Sequence, residues 1–339
     1  MGSLRSHLFA TGIRRSGGPR NGFRCRGVTG HRIAAADAHR IEVLRIPAAW
    51  TNVHIALSAD ERVQAIGQDA AGRWQYLYRR SLVVRRSHAR FDRLIAFGEA
   101  LPALRRALAR DLARPGLPRE KVLACAVALL AACFLRPGTE IYTVENGSFG
   151  LATLRDRHVA VQGSRIRLDF RGKHGQRQRL VVQSVTLARI VVAMKRLPGD
   201  EVFKFKTAGG HVRDMRRTHV NAYIKQVMGQ SFSARIFRTW GGSLWCAGAL
   251  ARRVPVASAV RETAALLGNT VVAARRSYIH PDVLRAFARG RTVTASLSRP
   301  EALIALRRAG RDRSEQALLV LLRRERAARA RSGIAAPGA

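Results

Sequence analysis

Acidic residues are scarce in this chain: 22 Asp and Glu stand against 61 Lys and Arg, giving a formal net charge of +39 over 339 residues. A metal-dependent nuclease needs several carboxylates close together, and no such cluster lies near the basic motifs described below. The basic residues recur from Arg5 to Arg331 instead of forming one tail. That distribution implies a polyanionic partner, and nucleic acid is the commonest, because each neutralised phosphate releases counterions. An Arg-rich composition inherited from a GC-rich genome would explain the arginines but not the missing acids.

Cysteine is equally sparse. Cys25, Cys125, Cys133 and Cys246 form no C-x-x-C pair, so neither a zinc site nor a disulfide framework is indicated and a reducing cytoplasm is the default. Long apolar runs are missing too. The most apolar stretch, Val122 to Leu135, is shorter than the roughly 20 residues of a membrane helix and predicts a buried core helix. No phosphate loop is present: Gly172-Lys173 would need Gly at 167, where Arg stands, and Ser or Thr at 174, where His stands. The chain is therefore expected to use no metal, no cofactor and no small-molecule substrate. The arginines before Asp37 superficially suggest a transit peptide, and Met1, Gly2 and Ser6 fit a loose myristoylation pattern; a resemblance given below sets both aside.

What is present divides the chain into four stretches. Residues 1–20, rich in Gly and Arg, are expected to be flexible. Residues 21–88 predict a small β-rich domain: Val53, Ile55 and Leu57 alternate with polar neighbours, and Gln75-Tyr76-Leu77-Tyr78 follows the turn-like Asp69-Ala70-Ala71-Gly72. Residues 89–290 predict a mainly helical domain, opening with Phe91, Leu94, Ile95, Leu101, Leu104 and Leu108 on one helix face. A hairpin interrupts it, with Ile166, Leu168 and Phe170 alternating with polar residues, Leu180 to Val182 returning, and Gly172-Lys173-His174-Gly175 at the tip. Helices resume over Thr218–Met228, Ser233–Ala251 and Ala257–Leu267, the last stopped by Gly268, and a short one carries Val271–Tyr278. Residues 291–339 form a basic Ala/Arg/Leu-rich tail, and Pro300 to Arg331 is expected to be a basic helix contacting phosphates.

Five residues at element ends and at the hairpin tip suit one reaction together: Arg136, Lys173, Arg238, Asn269 and Tyr278. A phosphodiester repels nucleophiles, and its pentacoordinate transition state gathers charge that paired guanidinium donors can meet, which fits Arg136 and Arg238. A tyrosine hydroxyl is a poor nucleophile unless nearby cations favour the phenolate, and Arg275 and Arg276 lie beside Tyr278 in sequence. A lysine on a hairpin can protonate a departing oxygen, which fits Lys173. Singly, each of these residues is better explained as an ordinary surface or snorkelling side chain. Their order and local sequence change that.

The local sequences resemble bacterial and poxvirus-like type IB DNA topoisomerases from about Gly12 to Phe287. Gly12-Ile13-Arg14-Arg15 with Gly22-Phe23 resembles the start of the bacterial proteins, which marks the basic N-terminus as family sequence. Ile46-Pro47-Ala48-Ala49-Trp50-Thr51 resembles I-P-P-A-W-T, and the run from Gln64 to Tyr76 resembles Q-A-x-G-x-D-x-x-G-R-K-Q-Y. Phe91-Asp92-Arg93-Leu94, Ala113 to Lys121 and Glu145 to Leu151 extend the likeness.

The resemblance implies roles position by position. Arg136 matches the first catalytic arginine, Lys173 in Phe170-Arg171-Gly172-Lys173 the general acid, Arg238 in Arg235-Ile236-Phe237-Arg238-Thr239-Trp240 the second arginine, and Tyr278 in Ser277-Tyr278-Ile279-His280-Pro281 the nucleophile. Asn269 occupies the position of a histidine in poxvirus members, whereas bacterial members resemble this chain in using Asn. Tyr76, Tyr78 and Tyr142 match tyrosines that touch DNA, and Arg235 and Arg275 are further candidates. Three positions depart from the pattern: Pro137 follows Arg136 where a branched residue is usual, Thr139 replaces a common Asn, and Ile236 stands where Asp is frequent.

The implied fold is α+β, a small β-rich N-terminal domain plus a mainly α catalytic domain with a β-hairpin, forming a clamp around DNA. The implied activity is ATP- and metal-independent relaxation of supercoiled duplex DNA through a 3′-phosphotyrosine, by a monomer acting in the cytoplasm on the nucleoid. Two alternatives remain at this stage. A tyrosine recombinase shares the chemistry, but usually shows H-x-x-R where this chain has Arg235 three residues before Arg238, and usually begins with a helical domain. A basic DNA-binding protein that has lost catalysis would have no reason to keep Tyr278.

Overall fold

The computed structural model describes residues 2–293 and 313–331. The chain falls into two compact units, divided between Ala89 and Arg90.

The first unit holds α1 (Gly2–Thr11), β1 (Ile13–Gly18), β2 (Gly22–Gly27), α2 (Ala35–Val43), β3 (Thr51–Ile55), β4 (Val63–Gln68) and β5 (Trp74–Tyr78). Its strands make one antiparallel sheet in the order β2-β1-β3-β4-β5. Alternation assigns the faces. Ile13, Val53, Ile55 and Ala65 pack with Ile41, Leu44 and Ile46, while Ala56, Val63 and Ile66 pack with Leu4 and Leu8 of α1. With both faces covered, β4 is buried along nearly its whole length.

The segment 1–20 is therefore not the flexible arm that its composition suggests. Leu8 is fully buried and β1 lies between β2 and β3. Only one residue per helix turn and alternate strand residues need to be apolar, so a few apolar side chains anchor a stretch that is otherwise Gly and Arg. At the junction a Cβ on Gly12 would stand 2.7 Å from the Ile55 carbonyl oxygen; no other residue fits there.

The second unit contains α3 (Arg80–Leu112, continuing from the first), α4 (Arg119–Cys133), α5 (Glu140–Asn146), a three-stranded sheet of β6 (Val159–Gln162), β7 (Arg165–Arg171) and β8 (Arg177–Gln183), α6 (Val185–Lys195), the short pair β9 (Lys204–Lys206) and β10 (Val212–Asp214), α7 (Arg217–Met228), α8 (Ala234–Ala251), α9 (Val256–Leu267), α10 (Val271–Ser277), α11 (Pro281–Ala288) and α12 (Arg313–Arg331). The fold is α+β, with a β-rich first unit and a mainly helical second one. Val122 to Leu130 of α4 and nearly all of α8 are buried, forming the centre of the core. α3 starts at Arg80, before the apolar stripe begins at Phe91, because its first turns are mostly polar and carry no periodic signal. The hairpin stands as the alternation predicts, Leu168 opposite Leu180, and β6 adds a third strand through Val159 opposite Leu168.

α12 is the helix expected in the basic tail, but one of its faces is buried. Leu318, Leu319, Leu321 and Leu322 are buried, and the helix packs on α8 and α11. Its arginines are numerous, yet Arg323, Arg324 and Arg326 point outward while two carboxylates point in. Glu315 pairs with Arg105 at 2.8 Å and Glu325 with Arg291 at 2.5 Å. The upstream part of the expected tail helix, residues 300–312, lies outside the described residues. Among the described residues no helix is long and apolar enough to cross a membrane.

Both partners of the Arg105–Glu315 pair are almost fully buried, so removing one leaves a charge that water cannot reach. Glu315→Ala is expected to destabilise the second unit by about 3–5 kcal/mol, and a double replacement of Arg105 and Glu315 by Met to restore most of it. Equal urea midpoints for the parent and Glu315→Ala would contradict this.

Candidate active site

The site is assembled where α4 and α9 end against α8. α4 stops at Phe134, which adopts the left-handed conformation (φ 49°). Its ring lies where a side chain on Gly241 of α8 would be. Its carbonyl accepts from Arg238 Nη1 at 2.5 Å, and the Leu267 carbonyl at the end of α9 accepts from Nη2 at 2.7 Å. Arg136 follows Phe134 by two residues. Its Nη2 donates to the Gly268 carbonyl at 3.2 Å and to Asn269 Oδ1. Helix C-termini carry partial negative charge, so two such ends hold two guanidinium groups side by side.

The backbone that aims Arg136 is fixed through carbonyls alone: Leu151 N–H donates to Arg136 O and Ala152 N–H to Pro137 O, each at 2.9 Å. Proline at 137 costs this arrangement nothing, because only its carbonyl is used. Ile236, in place of the frequent Asp, is a buried core residue of α8.

Tyr278 caps α10, its N–H donating to Ala274 O at 3.0 Å. Arg90 Nη1 donates to the preceding Ser277 carbonyl at 3.0 Å. The following His280 N–H donates to Ser243 Oγ at 2.9 Å, and Ser243 Oγ reaches the Tyr278 carbonyl at 3.4 Å. A Cβ on Gly242 would stand 2.7 Å from that carbonyl oxygen, so glycine lets the tyrosine backbone approach α8. The ring then lies 5.0 Å from the Arg238 guanidinium and 5.9 Å from that of Arg235.

Burial by itself would push the Tyr278 hydroxyl up, but the charges of Arg238, Arg235 and Arg136 outweigh it and hold its pKa below the ordinary tyrosine value. Burial, then repulsion from Arg136, pulls Arg238 down to about 10. Burial lowers Arg136 as well. The cations that act most on Tyr278 thus come from other elements, which corrects the inference from its sequence neighbours Arg275 and Arg276. Arg90, which carries no motif and was invisible in sequence, is also lowered by burial and by Arg235, with Tyr278 opposing.

Two buried donors of the cluster have no acceptor: Arg238 Nε and Asn269 Nδ2. A buried unsatisfied donor costs roughly 1–3 kcal/mol, a cost that an anionic ligand would remove. Among the described residues no three His, Cys, Asp or Glu side chains are grouped to hold a metal ion.

Arg136, Arg238, Asn269 and Tyr278 therefore come together. Lys173 does not join them in this structure: it is exposed in the short 3-10 turn at the tip of β7–β8. From the same hairpin, Gln178 lies against both Gly172 and Gly268, so the lysine's hairpin abuts the Asn269 loop. Arg235 is exposed beside the Tyr278 ring, and Arg275 is exposed on α10. Tyr76 and Tyr78, on β5 of the first unit, have stacked rings 6.5 Å apart. Tyr142 is on α5, with its side chain outside the described residues.

Comparison with known proteins gives the family of the chain. Residues 80–278 match the family described as eukaryotic DNA topoisomerase I, catalytic core, and residues 22–69 match bacterial DNA topoisomerase IB, N-terminal domain. DNA topoisomerase 1B of Acanthamoeba polyphaga mimivirus is 31% identical over 264 residues, covering 73% of this chain and 79% of the viral one. DNA topoisomerase 1B of Vaccinia virus (strain Copenhagen) is 21% identical over 263 residues, covering 72% and 80%. A solved structure of the XerH site-specific recombinase bound to difH substrate overlaps only loosely: TM-score 0.35, 8% identity, 56% of this chain and 52% of that chain. That likeness is too low to carry an argument.

The fold and the matches define a type I DNA topoisomerase, an isomerase that acts on DNA. The chain belongs to the DNA topoisomerase IB family, with an N-terminal domain of the bacterial kind.

Two outcomes follow from the cluster. If it favours the Tyr278 phenolate, the rate of DNA cleavage rises with pH and levels off below the ordinary tyrosine value of about 10, and Arg235→Ala moves the inflection upward; an inflection that stays put would remove Arg235 from the field. If Asn269 Nδ2 meets a phosphate oxygen, a bond worth roughly 1.5–3 kcal/mol, Asn269→Ala slows single-turnover cleavage about ten- to a hundredfold. An alanine variant as fast as the parent would show that the amide does not touch the phosphate.

Proposed function

We propose that this topoisomerase relaxes supercoiled DNA through Tyr278, without ATP or metal. The observation that carries the reading is the grouping of Tyr278 with Arg136, Arg238 and Asn269, two of whose buried donors lack acceptors. Tyr278 Oη attacks the scissile phosphorus while the bond to the 5′ oxygen breaks. Arg136, Arg238 and Asn269 meet the charge on the nonbridging oxygens. Lys173, brought in on its hairpin when DNA binds, gives a proton to the departing oxygen. The 3′ end stays linked to the tyrosine, the free 5′ hydroxyl rotates about the intact strand, and the reverse attack reseals the break. The phosphotyrosine conserves the bond energy, so no ATP is consumed.

The two units are proposed to close as a clamp on the duplex, with Tyr76, Tyr78, Tyr142, Arg235 and Arg275 touching it. The working form is a monomer that prefers supercoiled substrate, acting in the cytoplasm on the nucleoid. Four free cysteines suit a reducing compartment.

A supercoiled plasmid incubated in EDTA without ATP should relax through a ladder of topoisomers. Recombined product that requires two sites would instead indicate a recombinase. Tyr278→Phe should keep DNA affinity and lose both relaxation and covalent adduct. Lys173→Ala should cleave ordinary DNA slowly and recover when the leaving 5′ oxygen is replaced by sulfur, which departs without a proton; no recovery would count against the general-acid role.

A further inference from the structure

Immediately after Tyr278 the chain enters a buried ion cluster that the phosphoryl chemistry does not use. Asp282 is 1% exposed and faces two arginines: Arg285 on its own helix, with Nε at 3.1 Å, and Arg329 from α12. His280 is buried between them and α3, its ring edge-on to Phe91 at 5.2 Å. Its Nδ1 accepts the Asp282 N–H at 3.1 Å and caps α11. Burial lowers the His280 pKa to about 4, which suits an acceptor without a proton on that nitrogen. The same residue's backbone N–H is the one held by Ser243 of α8. The corner between α10 and α11, from which the Tyr278 ring projects, is thus tied to α8 on one side and to α12 on the other.

We propose that Arg329, acting through Asp282, is a positioning residue for Tyr278, so that α12 sets where the nucleophile sits among its arginines. The proposal rests on the reading of Tyr278 as the nucleophile. Asp282 is deeply buried, and Arg285 is the more exposed of its two arginines. Without Arg329 the carboxylate keeps a single arginine, the partly solvated Arg285, beside a His280 ring that burial holds uncharged, and the corner must shift to bring it charge or water. A shift of about 1 Å at a reacting atom can cost a hundredfold in rate. A purely structural bridge would behave differently, because its loss would lower stability and leave the chemistry of the folded fraction intact.

The experiment measures single-turnover cleavage at saturating enzyme, noncovalent DNA affinity and thermal midpoint in the full-length protein. Arg329→Ala is expected to slow cleavage about tenfold or more, with affinity near parental, and Arg329→Lys to recover most of the rate. Arg323→Ala, on the same helix but paired with exposed Glu99, should cleave at the parental rate. Should Arg329→Ala not fold, Asp282→Asn takes its place with the same expectation, because it keeps the shape and removes the charge that Arg329 meets. A parental rate in the variant used, a loss shared equally by Arg323→Ala, or a loss wholly explained by weaker binding or a smaller folded fraction would each overturn the proposal. Tyr278→Phe, run alongside, separates the two assignments: an adduct in that variant would remove the nucleophile itself, whatever Arg329 does.

Discussion

The site depends on one electrostatic arrangement, in which backbone carbonyls at the ends of two helices grip two arginines that would otherwise repel each other. Phe134, Leu267 and Gly268 supply the carbonyls, Arg136 and Arg238 the guanidinium groups. Taking a guanidinium out of water is unfavourable, as the lowered pKa of Arg238 records. Partial charges at helix C-termini offset that without introducing a carboxylate. A carboxylate at the same place would neutralise the arginines toward an incoming phosphate as well. The scarcity of acids in the chain and the way its central arginines are held are two sides of one requirement.

Elsewhere, among the described residues, four carboxylates serve as buried fasteners. Asp111 receives Arg110, Arg114 and the Tyr223 hydroxyl; Glu315 receives Arg105; Glu325 receives Arg291; Asp282 receives Arg285 and Arg329. Each draws together segments that hydrophobic packing alone would align less specifically. With 22 acids against 61 basic residues, the chain keeps the large positive excess that favours association with DNA.

The site was legible in sequence to the extent that local motifs encode it. Arg136, Arg238, Asn269 and Tyr278 stand in recognisable strings, and the folding of α4, α8 and α9 brings them together. Contributions made through space were not legible. Arg90 sits in no motif, and the cations that act on Tyr278 come from α8 and from the end of α4 rather than from the adjacent Arg275 and Arg276. The hairpin could be predicted because Ile166, Leu168 and Phe170 alternate cleanly; β6, four residues long, offered no such run. At both termini composition misled. Charge counts register many arginines, whereas burial depends on a few leucines at the right spacing, Leu8 in α1 and Leu318, Leu319 and Leu322 in α12.

The paired glycines of α8 have a consequence that lies in helical register. Gly241 and Gly242 follow Arg238 by three and four residues, the two offsets that return to the same face of an α-helix one turn later. The arginine and both notches therefore share a face: the notch at 241 receives Phe134, whose carbonyl holds Arg238, and the notch at 242 receives the backbone of Tyr278. A single turn of one rigid helix serves as a template on which the cation, its acceptor and the attacking residue are placed by periodicity alone. Inserting one residue between Arg238 and Gly241 would rotate the notches by about 100° and part all three at once, although every catalytic side chain would still be present in the sequence.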